Sequence, residues 1–321
     1  MHQPESVIVT QSEPRNNDQL LTSKMVVETE GFLFWRSQRG WVTIELETSC
    51  RAFFRELGLT MPKIAISGKG GVGKTTLAGM LARQYAAEGV PVLAIDADPD
   101  ANLASALGVS PDRAASIRPI AEMDELIEER TGAKPGTQGA YFRLNPRVDD
   151  IPDRFSLGHE GVRLMVMGTV DRGGGGCACP ENVMLRALMT HLLLQRDDTV
   201  ILDMEAGVEH LGRGTADNVD AMIVVVEPGQ RSIQTAHHVA RLAADLGIHR
   251  CYVVGNKVRG DADREFIEAQ AAPLPVLGLM SYNPAVADAD LGGHSPYGTN
   301  ATLESEVQAI RKRLAEVRVA P

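Results

Sequence analysis

Nine residues, Gly68-Lys69-Gly70-Gly71-Val72-Gly73-Lys74-Thr75-Thr76, stand between an apolar run and a stretch of helical periodicity. A glycine, four residues and then Gly-Lys-Thr lets successive backbone N–H groups curl around the oxygens of a nucleotide's phosphates. Glycine is needed because side chains would keep the anion away from the backbone. Lys74 has the reach to neutralise the outer phosphates, Thr75 can set its hydroxyl on Mg2+, and the following helix points its positive end at the anion. The flanks fit this reading. Lys63-Ile64-Ala65-Ile66-Ser67 reads as a buried strand, while Leu77, Met80, Leu81 and Tyr85 recur at helical spacing until Gly89 and Pro91 stop the helix. A strand, a phosphate-cradling loop and a helix in this order predict an α/β sheet built around a nucleotide.

Beyond residue 61 the pattern continues. Val92-Leu93-Ala94-Ile95, Val162 to Val166, Val200-Ile201-Leu202, Met222 to Val226, Tyr252-Val253-Val254 and Val276-Leu277 are short apolar runs, mostly separated by helical stretches. That alternation predicts a mostly parallel, twisted sheet flanked by helices on both faces, with ligands at the carboxyl ends of the strands. With 321 residues and 44% hydrophobic composition one large core is within reach, so residues 61–321 are expected to form a single main domain. Residues 1–60 differ in composition, holding Trp35 and Trp41 and four of the seven phenylalanines, Phe32, Phe34, Phe53 and Phe54. Met61-Pro62-Lys63-Ile64 would make a natural start, so residues 1–60 are expected to be an appended extension or an upstream start. Residues 1–24 read as disordered, and Trp41-Val42-Thr43-Ile44-Glu45-Leu46 alternates like a short strand.

A net charge of −10 argues against broad attraction to nucleic acid or anionic lipid. No segment has the unbroken apolar length of a membrane span, and the N-terminus lacks a basic-then-apolar signal pattern, so a cytoplasmic location is expected. Four cysteines, at 50, 177, 179 and 251, are too few and too clustered for a disulfide framework.

Acidic residues follow two of the strands. Asp96-Ala97-Asp98-Pro99-Asp100-Ala101-Asn102 emerges after Val92–Ile95, where the nucleotide should lie, and Val200-Ile201-Leu202-Asp203 has the form of a Walker B strand whose aspartate holds Mg2+. Asn256-Lys257 follows a third strand, and an asparagine amide there can pair with a purine's edge. A guanine reader would want an aspartate two places after the lysine; Arg259 stands there, so ATP is the expected nucleotide.

Lys69 has no task in a single cradle already served by Lys74. Its position resembles the signature lysine of the deviant Walker A family, which includes the MinD and ParA ATPases and the nitrogenase iron protein. The resemblance implies that Lys69 reaches the nucleotide of a second copy, tying hydrolysis to an ATP-dependent homodimer. It also implies that Asp98 orients the attacking water, with Asn102 as a second residue of the same switch.

Gly173-Gly174-Gly175-Gly176-Cys177-Ala178-Cys179-Pro180-Glu181-Asn182 is the other unusual stretch. Pro180 and Glu181 suit a first helical turn, and Leu185, Leu188, Met189 and Leu192 continue at helical spacing. Cysteines at a helix N-terminus favour the thiolate that binds metal. Two thiolates do not complete a tetrahedral site, but a symmetric dimer brings four, a set that suits zinc and accepts nickel or iron. A redox pair, or two small residues at a turn, are the ordinary alternatives.

Gly168-Thr169-Val170, the Cys-x-Cys stretch and Asp203-Met204-Glu205-Ala206-Gly207-Val208-Glu209-His210-Leu211-Gly212-Arg213-Gly214 together resemble the CooC family of carbon monoxide dehydrogenase maturation ATPases. The resemblance spans roughly residues 61 to 320. It implies a nickel-inserting ATPase with carbon monoxide dehydrogenase as client, Cys177 and Cys179 as metal ligands, and Asp203 to Gly214 as the second switch. Two rival readings compete with it. An iron-sulfur reductase would need a cysteine three places after Asp203, where Ala206 stands. A MinD- or ParA-type scaffold would touch membrane through the stripe Val307, Ile310, Leu314 and Val317, which packing against the sheet explains more simply.

Overall fold

The computed structural model describes residues 61–137, 141–168, 179–208, 211 and 218–319, together with the backbone of three strands nearer the N-terminus. The chain divides into two units, Met1–Thr60 and Met61–Pro321. In the first, β1 (Met25–Glu28), β2 (Phe32–Ser37) and β3 (Gly40–Glu45) form an antiparallel sheet in that order. The strand expected at 41–46 is β3, one residue displaced. Residues 1–24, read as disordered, lie outside the described residues.

The second unit is built on one eight-stranded sheet. Its strands are β4 (Lys63–Gly68), β5 (Val92–Ala97), β6 (Leu157–His159), β7 (Val162–Val166), β8 (Thr199–Met204), β9 (Ala221–Val226), β10 (Cys251–Val258) and β11 (Val276–Ser281). They run in the order β11-β10-β9-β4-β8-β5-β7-β6. All pairings are parallel except that of β6 with β7. Each apolar run read from the sequence is one of these strands. β6 was not anticipated, because three residues containing a glycine and a histidine carry no apolar signal.

Alternation along each strand sends side chains to two cores, one per face. Ile64 and Ile66 of β4 and Val92 and Ala94 of β5 join one core, while Ala65, Leu93 and Ile95 join the other. The first core is closed by α1 (Lys74–Ala87), α2 (Leu103–Leu107) and the C-terminal helix Ala301–Val319. The second is closed largely by helices Pro180–Leu194, Gln230–Asp245 and Asp261–Ala271. The C-terminal stripe is part of the core: Val307 and Ile310 are fully buried, and a Cβ on Gly278 of β11 would sit 2.6 Å from Ile310 Cγ1. Among the described residues no helix is long and apolar enough to cross a membrane.

Because β4 lies between β8 and β9, the loop that leaves it has the ends of β8 and β5 on one side. On its other side are the ends of β9, β10 and β11. That order decides which side chains can meet at the loop.

Candidate nucleotide site

Gly68 closes β4 with φ +148°, and a Cβ there would stand 2.5 Å from the Val225 carbonyl oxygen. Neither the backbone angle nor the space admits a larger residue. The chain turns through Gly71 and Gly73, both at positive φ, and α1 begins at Lys74 with Leu77 N–H donating to Gly73 O at 3.1 Å. The first-turn N–H groups of α1 thus face the loop, where a helix favours an anion. Lys74 is buried and Thr75 half-buried, whereas Lys69 is exposed.

The acids expected beside the loop are there. Lys74 Nζ lies 3.5 Å from Asp98 Oδ2. Asp96 and Asp203 are register partners on β5 and β8, and both are buried. Asp96 Oδ2 accepts the N–H of Leu103 at 2.8 Å and its Oδ1 that of Asp98 at 3.2 Å, so this carboxylate folds the segment carrying Asp98 around itself. Burial raises the Asp96 carboxyl to about 6, against the opposing pull of those N–H groups. Burial also pushes Asp203 up to about 7, helped by the nearby charges of Asp96 and Asp98 and opposed by the Thr75 hydroxyl and Lys74. The Thr75 hydroxyl acts on that carboxylate without reaching hydrogen-bond geometry. Neither Asp203 oxygen has a hydrogen-bond partner among the described residues.

A buried carboxylate left without a donor is costly unless a cation completes it. Asp203 with Thr75 would supply the one or two protein oxygens that Mg2+ takes when substrate phosphates and water fill the rest of its shell. These residues fit the ion. Asn102, exposed at the start of α2, donates from Nδ2 to Asp100 O at 2.7 Å.

A cavity of about 670 Å3 opens over the loop. Gly70, Gly71, Gly73, Lys74, Thr75 and Thr76 line one end of it, with Asp98, Asn102, Glu205 and Asn256 around them. Ser281, Tyr282, Asn283 and His294 line it further out. The Asn256 amide, read from the sequence as a partner for a purine edge, is turned to the loop. Its Nδ2 donates to Val72 O at 2.7 Å, and its Oδ1 accepts the N–H of Lys257 at 2.8 Å.

Cys179 is the N-cap of the helix Pro180–Leu194, in extended conformation and buried to 8% exposure. Cys177 lies outside the described residues, as do Thr169, Val170, the glycine run, Glu209, His210, Gly212, Arg213 and Gly214. Among the described residues no group of three or more His, Cys, Asp or Glu side chains could hold a metal ion. Buried Glu181 accepts the N–H of Gly136 at 2.6 Å and so ties the segment before it to the first turn of the cysteine helix.

Three features of the site were not read from the sequence. Asp96 was seen only as one of a run of acids; its place as the last inward residue of an apolar strand marks it as the buried one. Ser67 Oγ donates to Glu205 O at 2.7 Å, a strand-end link between β4 and the segment after β8 that no spacing reveals. The Ser281–Asn283 segment was legible in principle, because it follows a strand whose carboxyl end faces the ligand side of the sheet.

Comparison with known proteins agrees with this geometry. Residues 63–297 match the CobQ/CobB/MinD/ParA nucleotide binding domain. The chain is 48% identical over 259 residues to the carbon monoxide dehydrogenase accessory protein CooC of Rhodospirillum rubrum, covering 81% of this chain and 98% of that protein. It is 45% identical over 251 residues to an uncharacterised ATP-binding protein of Methanocaldococcus jannaschii, covering 77% and 95%. The MinD cell division protein of Aquifex aeolicus shares the fold with a TM-score of 0.54 at 20% identity, covering 79% of this chain and 97% of its own. With its nucleotide loop, its paired acidic strand ends and a family match over most of its length, the chain belongs to the CobQ/CobB/MinD/ParA nucleotide-binding family and is a P-loop ATPase.

Proposed function

We propose that this ATPase matures a carbon monoxide dehydrogenase, closing as an ATP-dependent homodimer that grips a metal ion between Cys177 and Cys179 of each copy and assists nickel insertion. The observation that carries the reading is the 48% identity over 98% of the accessory protein of Rhodospirillum rubrum, joined to a Cys-x-Cys whose second cysteine, Cys179, caps a helix that packs on the ATPase sheet. Nickel or zinc is cargo in this reading, and its ligands are the four thiolates of two copies.

Within each copy Lys74 and the N–H groups of Gly68 to Thr76 bind the phosphates, and Thr75 with Asp203 holds Mg2+. The ion, when bound, neutralises charge between the outer phosphates. Asp98 orients the attacking water, a role its place beside Lys74 supports. Lys69 projects from the loop's exposed turn, as a residue that serves a second copy must. Asp98 and the segment after Asp203 flank the same loop, so phosphate state can alter the surface that carries the dimer. The client is expected to meet the face carrying the cysteines.

The test is native mass spectrometry of the purified chain with and without a non-hydrolysable ATP analogue, after loading with Ni2+ or Zn2+. One ion per dimer, present with the analogue and lost when Cys177 and Cys179 are changed to Ser, is expected. A chain that stays monomeric with analogue, or dimers whose metal content ignores the cysteine changes, would refute the proposal.

A further inference from the structure

Asn256 and Lys257 reach the phosphate loop from the end of β10, and each takes hold of a loop carbonyl. Asn256 Nδ2 donates to Val72 O at 2.7 Å, and Lys257 Nζ donates to Gly71 O at 2.7 Å. Both side chains are braced from behind. Asn256 Oδ1 accepts the Lys257 N–H, and Glu227 Oε2 lies 3.1 Å from Lys257 Nζ. Lys257 has φ +58°, a conformation that residues with a Cβ avoid unless surrounding contacts impose it. Gly73 makes the room: a Cβ there would stand 2.1 Å from Asn256 Nδ2.

The carbonyl and N–H of a trans peptide point in opposite directions. Drawing the carbonyls of Gly71 and Val72 toward β10 therefore turns the N–H groups of Val72 and Gly73 the other way: the Val72 N–H donates to Lys69 O at 3.4 Å and closes the turn, while Gly73 lines the cavity. We propose that Asn256 and Lys257 form a latch that fixes these two peptide planes, a positioning role that serves any polyphosphate whatever base it carries. The inference rests on the nucleotide-site reading and changes what Asn256 contributes to it. The residue acts on the phosphates through the loop, and selection of the base falls to other parts of the cavity wall.

Calorimetric titration of the full chain with three magnesium-loaded probes, ATP, GTP and inorganic tripolyphosphate, tests the latch. The variants are Asn256→Asp, Lys257→Met and the two combined. Asn256→Asp keeps the side chain's shape and the acceptor for Lys257 N–H but removes the donor to Val72. Asn256→Asp is expected to weaken all three probes by about tenfold, the scale of a half-buried carbonyl losing its donor, Lys257→Met by about threefold because its contact with Gly71 is exposed, and each to leave the ATP-to-GTP ratio within about twofold. Binding stoichiometry should hold, and the double variant should lose less than the product of the single losses, because the two contacts brace each other. Parental tripolyphosphate affinity with a changed ATP-to-GTP ratio is the signature of a base reader and overturns the latch. Reduced stoichiometry with parental affinity in the remaining sites marks a merely structural role and overturns it too. A parent chain that binds neither ATP nor tripolyphosphate removes the nucleotide-site reading beneath it.

Discussion

Asp203→Asn should make this protein less sensitive to alkaline pH while stopping its chemistry. Asp203 is fully buried and both of its oxygens lack partners among the described residues. Burial raises its carboxyl from 3.8 to about 7. A carboxyl held above its unfolded value binds its proton more tightly in the folded state, so its contribution to stability is full below about pH 3.8. That contribution is lost as the pH climbs through about 7. Each pH unit of difference is worth about 1.4 kcal/mol, which puts the whole loss near 4 kcal/mol and the part between pH 5 and pH 8 at roughly 2–3 kcal/mol. Asp96, raised to about 6, adds roughly 1–1.5 kcal/mol over the same interval. With metal and nucleotide removed by chelator and dialysis, the parent should lose about 4 kcal/mol of unfolding free energy between pH 5 and pH 8 from these two acids, and Asp203→Asn about half of that or less. Urea melts should be followed by far-UV circular dichroism, because both tryptophans, Trp35 and Trp41, belong to the other unit and neither lies in the one that carries Asp203. If the variant lost as much stability across this interval as the parent, the argument from burial would be wrong.

Lys74→Ala should abolish ATP binding measured by calorimetry, whereas Asp98→Ala should keep binding within about threefold and slow phosphate release by about 100-fold or more, the usual worth of a positioned acid or base. Normal turnover by the Asp98 variant would remove it from the mechanism. Gly68→Ala should cost about 1–3 kcal/mol in denaturant unfolding, because its Cβ would meet the Val225 carbonyl at 2.5 Å in a backbone conformation unsuited to it. An undiminished unfolding midpoint would mean that β4 and β9 can part without loss.

Much of this architecture was legible because apolar runs and phosphate-loop chemistry are local signals. The six runs after the loop strand became β5 and β7 to β11, and Leu77, Met80 and Leu81 became the buried face of α1. Nothing local marks β6, an edge strand that needs only one neighbour, or the bond from Ser67 to Glu205, whose partners are 138 residues apart. Asn256 shows the same limit from the other side. Its place after a strand was readable, but whether its amide faces the cavity or the loop depends on how close Gly73 lets β10 approach.

The two buried acids explain why the site needs its cations. Asp96 and Asp203 stand side by side on paired strands, and the charge of Asp96 adds to the burial that favours protonation of Asp203. Asp96 is answered by backbone N–H groups, which is why it serves as an anchor for the segment carrying Asp98. Asp203 is answered by nothing comparable; Lys74 acts on it but is itself 3.5 Å from Asp98. Above about pH 7, where both buried acids are ionised, Lys74 faces Asp96, Asp98 and Asp203 together, and that local excess of negative charge opposes a polyphosphate arriving without a cation. The nucleotide is therefore expected to bind with Mg2+, releasing the proton from Asp203 below about pH 7 as the ion takes its place.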